Sequence, residues 1–287
     1  ASALAARQAA AARERHPLLA GGLEDPARVA GLLAAPAANG FGVAAVAGRR
    51  VAGFLAPLGI ELWRSPGAYV PEWGWAGPAG LIAEMYAAAA ERWVAAGRRI
   101  HAVTLWAHET ELEAAWHDLG FGRAVVDAVR GLEVPAGRGR GVRVRRAGPA
   151  DAGALAALER ALWEHLAASP VFRVHHRPGG RAEAVGRLAD PAQPVWLAET
   201  AGVAAGFISF QPSDDAPAAL RSPDLVRGDG AFVIAERRGR GVATALLGTA
   251  LRWAAEAGFT GCALDYESAN PEATGFWPVS YRGCATG

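Results

Sequence analysis

The chemistry-bearing residues of this chain concentrate in one run, Ala231-Phe-Val-Ile-Ala-Glu-Arg-Arg-Gly-Arg-Gly-Val-Ala-Thr-Ala-Leu-Leu247. Apolar residues of strand type meet a loop with two glycines and three arginines, and the loop opens into an amphipathic helix. A helix start presents unpaired backbone N–H groups and the positive end of the helix dipole, so it attracts phosphate oxygens. Gly239 and Gly241 let the backbone approach an anion closely and adopt angles that other residues avoid. Arg237, Arg238 and Arg240 add positive charge at the same place. The loop reads as a cradle for a pyrophosphate.

Several ligands carry a pyrophosphate. A P-loop needs a lysine followed by Ser or Thr, and this chain contains no lysine. The dinucleotide fingerprint G-x-G-x-x-G fits better: Gly239 and Gly241 fill its first two glycines, with Thr244 in the third slot. Asp265 falls near the end of the next expected strand, where that fingerprint wants a ribose-binding acid. On the glycines alone, an NAD(P) site and another pyrophosphate-bearing coenzyme stay open.

The flanking residues add a second pattern. Arg238-x-x-Gly241-x-Ala243 on a strand-to-helix turn resembles the coenzyme A signature of the GNAT acetyltransferase superfamily, [Q/R]-x-x-G-x-[G/A]. Val233-x-Ala235-Glu236 stands where that family commonly shows Val-x-Pro-Glu. A helix (about 242–257) and a strand (261–266) are expected next, then Asn270-Pro-Glu-Ala273-Thr-Gly-Phe276-Trp277. The last stretch is similar to the family's N-x-x-A-x-x-F-Y signature at the expected distance. The fold this implies is α/β, an α+β mixed sheet flanked by helices.

With 287 residues the chain is long enough for two ordinary domains, and a 52% apolar fraction is that of a globular protein. A formal charge of +1 gives no reason to expect nucleic acid or a charged membrane surface as partner. Two cysteines make no disulfide framework, and no His/Cys spacing suggests a metal. No apolar run reaches membrane-span length, so a soluble cytoplasmic protein is expected, monomer or homodimer.

A Gly/Pro/Arg-rich stretch at 133–141 divides the chain, giving expected domains of 1–132 and 142–287. The two sides read alike. Tyr69-Val70-Pro71-Glu72 ends a strand, and a helix (about 80–96), a strand (100–106) and Thr110 to Phe121 follow. Val70 and Val233 stand 163 residues apart, and Trp116 and Trp277 stand 161 apart, a domain-sized period that argues for duplication. Two tandem GNAT-like domains are expected, the first degenerate: Trp73-Gly-Trp-Ala-Gly-Pro78 replaces the cradle and Glu109 replaces the signature asparagine. Tyr69, Trp73 and Trp75 read as packing residues.

In the second domain, Val142 to Arg145 reads as a strand and Asp151 as a helix start. Val195 to Glu199 and Val203 to Phe210 form a hairpin through Thr200-Ala-Gly202. Arg143, Arg145 and Arg146 read as a solvated strand edge, and Trp163, Trp196 and Trp253 as core. His175 and His176 fall in a loop. Only ten residues follow Trp277, so the family's last strands read as missing or divergent.

The resemblance implies transfer of an acetyl group from acetyl-CoA to a primary amine of a small molecule or peptide, in a ternary complex without a metal. Coenzyme contacts would come from Val233, Ile234, Arg238, Gly239, Arg240, Gly241, Val242, Ala243, Asn270 and Phe276. Such transfer needs a base and a proton for the departing thiolate. Glu267 and Asp265 are the candidate bases, with Asp229 just before the motif strand. The family's tyrosine slot holds Trp277, which leaves Tyr281 as the candidate acid. The rival readings are a non-catalytic acyl-CoA-binding or regulatory protein and an NAD(P)-binding enzyme.

Overall fold

The computed structural model describes residues 1–137, 139, 141–173, 179–280 and 282–286, with only the backbone described for 279, 280 and 282–286. It is a mixed α/β protein that packs into two compact units. The first comprises Ala1–Ala128, Pro217–Leu220 and Gly283–Gly287, the second Val129–Ala216 and Arg221–Arg282. Packing thus divides a few residues before the expected end of the first domain at 132, and two later segments return to the first unit.

The first unit runs α1 (Ser2–Arg15), α2 (Pro26–Ala38), β1 (Val43–Ala47), β2 (Arg50–Leu55), β3 (Leu58–Leu62), β4 (Ser65–Val70), β5 (Trp75–Ala76), α3 (Ile82–Ala95), β6 (Ile100–Val103), β7 (Leu105–Trp106) and α4 (Thr110–Asp118). The expected strand at 100–106 is broken at Thr104. Strand β4 leads through α3 into the parallel strand β6, and these two stay paired from Gly67↔Ile100 to Val70↔Val103. The Thr104 amide extends the pairing by donating to the Val70 carbonyl at 2.9 Å. Trp73 and Trp75 are buried, and the Trp75 indole donates to the Thr104 carbonyl at 2.7 Å. The turn after β4 is therefore filled with aromatic rings where the second half has its glycines.

Strand β8 (Val125–Arg130) leads into the second unit: β9 (Val142–Arg146), α5 (Ala152–Ala167), α6 (Arg181–Ala189), β10 (Val195–Thr200), β11 (Val203–Pro212), β12 (Leu225–Val233), α7 (Val242–Glu256), β13 (Gly261–Glu267), α8 (Pro271–Ser280) and β14 (Arg282–Thr286). Here the strands lie in the order β13-β12-β11-β10-β9, with β12 and β13 parallel and the other neighbours antiparallel. The β10–β11 hairpin turns on Ala201 (φ 51) and Gly202 (φ 78), the doubly left-handed pair that a two-residue hairpin requires. The chain's last strand is present: Thr286 and Ala285 of β14 pair with Leu105 and Trp106 of β7.

Apolar residues of α5 and α6 cover one face of the sheet, with Leu155, Leu158, Val195, Leu197 and Phe207 in one buried cluster. Helix α7 covers the other, where Trp253 packs edge-on to Trp196 at 5.3 Å. Arg143 and Arg146 of β9 are exposed on the edge strand, as their spacing suggests, while Arg145 is half-buried and engaged. Arg146 lies over the Trp196 and Trp253 rings at 5.1 and 5.7 Å, and burial holds its pKa below the ordinary value. Arg145 grips Asp151 with two hydrogen bonds, 2.7 and 2.8 Å, and Glu199 with a third at 2.7 Å.

Asp151 precedes α5 without capping it. Its Oδ2 accepts from the Gly148 amide at 2.9 Å, closing the short turn before the helix. The Arg145 hydrogen bonds hold its carboxyl at about 2, below the usual aspartate value of 3.8. Its stabilising effect is complete above the unfolded-state pKa and is lost as pH falls through the folded one. Asp151→Asn should cost about 1–3 kcal/mol at neutral pH. The gap to wild type in denaturant unfolding should close as the pH approaches 2; a gap independent of pH would refute the ion pair's role.

Candidate active site

Strands β12 and β13 pair only from Leu225↔Gly261 to Arg227↔Ala263, and both then continue, β12 to Val233 and β13 to Glu267. A wedge opens between them. Its walls are one cleft of about 430 Å³, lined by both strand ends, the turn at 237–244, and parts of α5, α7 and α8. A bulge in the β11–β12 ladder lies where β12 leaves its partner: Ser209 faces Gly230 and Phe210 faces Gly228, so Asp229 is the extra residue. The motif strand begins at Leu225, which puts Asp229 within it and on the cleft wall rather than ahead of it.

Backbone direction decides which amides the wedge exposes. The Ile234 amide donates to the Ala205 carbonyl at 3.0 Å, toward β11. Strand alternation then turns the amides of Ala231 and Val233 the other way, into the wedge. Of the two amides expected to meet a coenzyme, Val233 is directed into the cleft and Ile234 is spent within the sheet. Ala231 joins Val233, which no residue-type signal could have shown.

The turn after β12 has the geometry the glycines imply. Gly239 (φ 69) and Gly241 (φ 78) are both left-handed, and Gly241 directly precedes α7. The amides of Val242, Ala243 and Thr244 in the first helical turn have no acceptor among the described residues. They form an anion-receptive end. Arg237 and Arg240 have no acidic partner among the described residues. Arg238 is a brace: its Nε donates to the Val233 carbonyl at 3.0 Å, and its Nη1 pairs with Glu272 of α8. The other Glu272 oxygen lies 3.4 Å from His165 Nε2 of α5. Asn270 is buried, and its Oδ1 accepts the Ala273 amide at 3.3 Å, capping α8. That leaves its Nδ2 for the cleft. Phe276 and Trp277 line the same wall with rings 4.7 Å apart.

Among the described residues, four carboxylates line the cleft, and each has a guanidinium partner. Asp265 meets Arg227 at 2.6 Å, Glu267 pairs with Arg173, Glu272 with Arg238, and Asp229 meets Arg187 at 3.2 Å. Trp163, expected in the core, is half-buried on the cleft wall with Arg173 over its ring at 5.2 Å. Tyr266 also lines the wall. Tyr281, His175 and His176 lie outside the described residues. No cluster of metal-ligating side chains occurs among the described residues, and no helix among them is long and apolar enough to cross a membrane.

Comparison with known proteins places a family on this geometry. Residues 157–279 match the model of the Acetyltransferase (GNAT) family. Among solved structures, a GCN5-related N-acetyltransferase from Kribbella flavida is 16% identical at TM-score 0.44, covering 89% of this chain and 92% of that one. A functionally unknown conserved protein from Staphylococcus epidermidis ATCC 12228 is 13% identical at TM-score 0.46, covering 85% and 92%. AAC(6')-Iy in complex with the bisubstrate analog CoA-S-monomethyl-acetylneamine is 25% identical at TM-score 0.38, covering 48% and 86%. No curated protein matches the chain.

Because Asn270 caps α8, Asn270→Ala should lower stability by about 1 kcal/mol. Thermal unfolding checks this, and an unchanged melting temperature would assign the side chain to the cleft alone.

Proposed function

We propose that the second unit binds acetyl-CoA and transfers its acetyl group to the primary amine of a small molecule or peptide. One observation carries the reading: outward amides of a splayed strand and a glycine turn at a helix start share one cleft within the stretch that matches the GNAT family. The first-turn amides of α7, with Arg237 and Arg240, suit the pyrophosphate. Asn270 Nδ2 and the Val233 amide suit the amide-bearing arm. The Ala231 and Val233 amides also suit the thioester oxygen as charge develops on it.

In the transfer the amine nitrogen attacks the thioester carbon, the carbon–sulfur bond breaks, and the thiolate takes a proton. The amine must first shed its own proton to a cleft carboxylate. Holding both reactants in one wedge supplies proximity without a covalent enzyme intermediate.

Duplication explains the first unit. Both halves run strand, helix, parallel strand, but β4 and β6 stay paired where β12 and β13 part. With buried tryptophans in the turn, we read the first unit as keeping the fold without a coenzyme cleft. The dinucleotide alternative asks Asp265 to hold a ribose, a carboxylate already engaged by Arg227.

Isothermal titration should show acetyl-CoA binding at one site per chain and NAD or NADP not binding. Gly241→Glu places bulk and negative charge at a left-handed position and should abolish that binding. Binding that survives the substitution would move the coenzyme site elsewhere. Binding without thiol release across a broad panel of amines would favour the non-catalytic reading.

A further inference from the structure

Among the described residues three guanidiniums line the cleft, those of Arg173, Arg237 and Arg238. The last two belong to the turn before α7, where an anion is expected. Arg173 does not. It is held between α5 and the end of β13, with its guanidinium over the Trp163 ring at 5.2 Å and its Nη1 paired with Glu267 Oε1. The backbone is bent to put it there. Phe172 is left-handed (φ 55) and 63% exposed, a conformation that a bulky residue keeps only where its surroundings impose it. The Phe172 and Arg173 amides fold back onto the Ala168 and Leu166 carbonyls at the end of α5, at 3.0 and 2.8 Å. A cation on the wall of an amine-binding cleft repels the ammonium that must enter, and Glu267 only cancels that repulsion. An anion on the acceptor would turn it into attraction. Glu267 takes Nη1, and Nε and Nη2 have no acceptor among the described residues. Their N–H groups lie on one edge of the planar guanidinium, a fork that matches the two oxygens of a carboxylate.

We infer that Arg173 is a specificity-determining residue and that the acceptor is an amino acid, a molecule with a carboxylate next to its primary amine. The inference rests on the reading of the cleft as an acetyltransferase site and narrows its acceptor. The acceptor's carboxylate takes the Nε–Nη2 fork while its ammonium meets the Glu267 carboxylate. Four charges then alternate in sign, and none loses a partner. A plain amine meets only Glu267, which Arg173 already neutralises, and a polyamine brings further positive charge against Arg173. A phosphate dianion suits the fork less, because Glu267 beside it repels the second charge. The Trp163 ring keeps water from one face of the guanidinium, which strengthens the ion pairs formed at its edge.

The test pairs glycine with methylamine, L-leucine with isopentylamine and L-phenylalanine with phenethylamine, and follows thiol release from acetyl-CoA. In the best-used pair, kcat/KM should favour the amino acid about tenfold or more. Equal or better use of the amine in every pair overturns the inference. Arg173→Gln, checked for folding by circular dichroism, should raise KM for the amino acid until that ratio is about 1, with the acetyl-CoA Kd held. Arg173→Lys keeps the charge without the fork and should restore only part of the preference. A preference that survives Arg173→Gln refutes the assignment. A weakened acetyl-CoA Kd in that variant refutes it too, because it gives Arg173 to the coenzyme. Isothermal titration of the same amino acids into the protein loaded with coenzyme A reads the contact without turnover. The idea is sunk if none of them binds, or if O-phosphoethanolamine binds more tightly than glycine. Failure of wild type to bind acetyl-CoA would instead sink the functional reading.

Discussion

The second unit's site depends on where two parallel strands stop being partners. β12 and β13 share three residue pairs and then separate, although both remain extended for several more residues. Parting strands leave backbone groups without their ladder, a cost that a folded protein tolerates only where something else satisfies them. Water or a ligand can do so here because the wedge is open to the surface at the turn before α7. The bulge at Asp229 and the left-handed glycines serve the same end. One redirects the strand, and the other lets the chain reverse into a helix with its first amides unused. The first unit shows the opposite outcome from the same element order. Its strands stay joined, the Thr104 amide adds one more rung, and the Trp75 indole closes the turn.

Arginine organises the polar part of the cleft. With no lysine in the chain, every long basic side chain is a planar fork that can contact two acceptors at once. Arg145 holds Asp151 and Glu199, Arg238 holds a carbonyl and Glu272, and Arg187 bridges two carboxylates from different elements. Such bridges fix helices against the sheet while keeping buried charge paired, which limits its desolvation cost.

Much of this was legible in the sequence because local chemistry wrote it there. The Thr200-Ala-Gly202 hairpin, the α7 start at Val242 and the strand from Gly261 follow from turn residues and apolar spacing, and each forms within a residue or so. The left-handed glycines were legible for the same reason. What depends on long-range geometry was not. The reach of the motif strand back to Leu225 is masked by Arg227, Gly228 and Asp229, whose polar and flexible character hides a strand interrupted by a bulge. The direction of an amide has no residue-type signature, so Val233 and Ile234 look equivalent until the register is known. Trp163 reads as core by composition, and only its place beside Arg173 shows it facing the cleft. Asp151 reads as a helix cap because it precedes a helix, while its side chain turns back to Gly148.

The bridge from Arg238 to Glu272 sets how this turn responds to anions. The Arg238 guanidinium already holds a carboxylate borne by the next helix but one along the chain, α8, so an incoming anion that engages Arg238 trades places with a resident one. In such an exchange the ion pair formed replaces the ion pair lost, and added electrolyte screens both alike. The salt sensitivity of anion capture then falls to Arg237 and Arg240, whose charges are uncommitted among the described residues. Displaced from Arg238, Glu272 still has His165 within 3.4 Å, so the carboxylate keeps a contact on α5. Occupancy of the turn and the contact between α8 and α5 are in this way tied through a single glutamate.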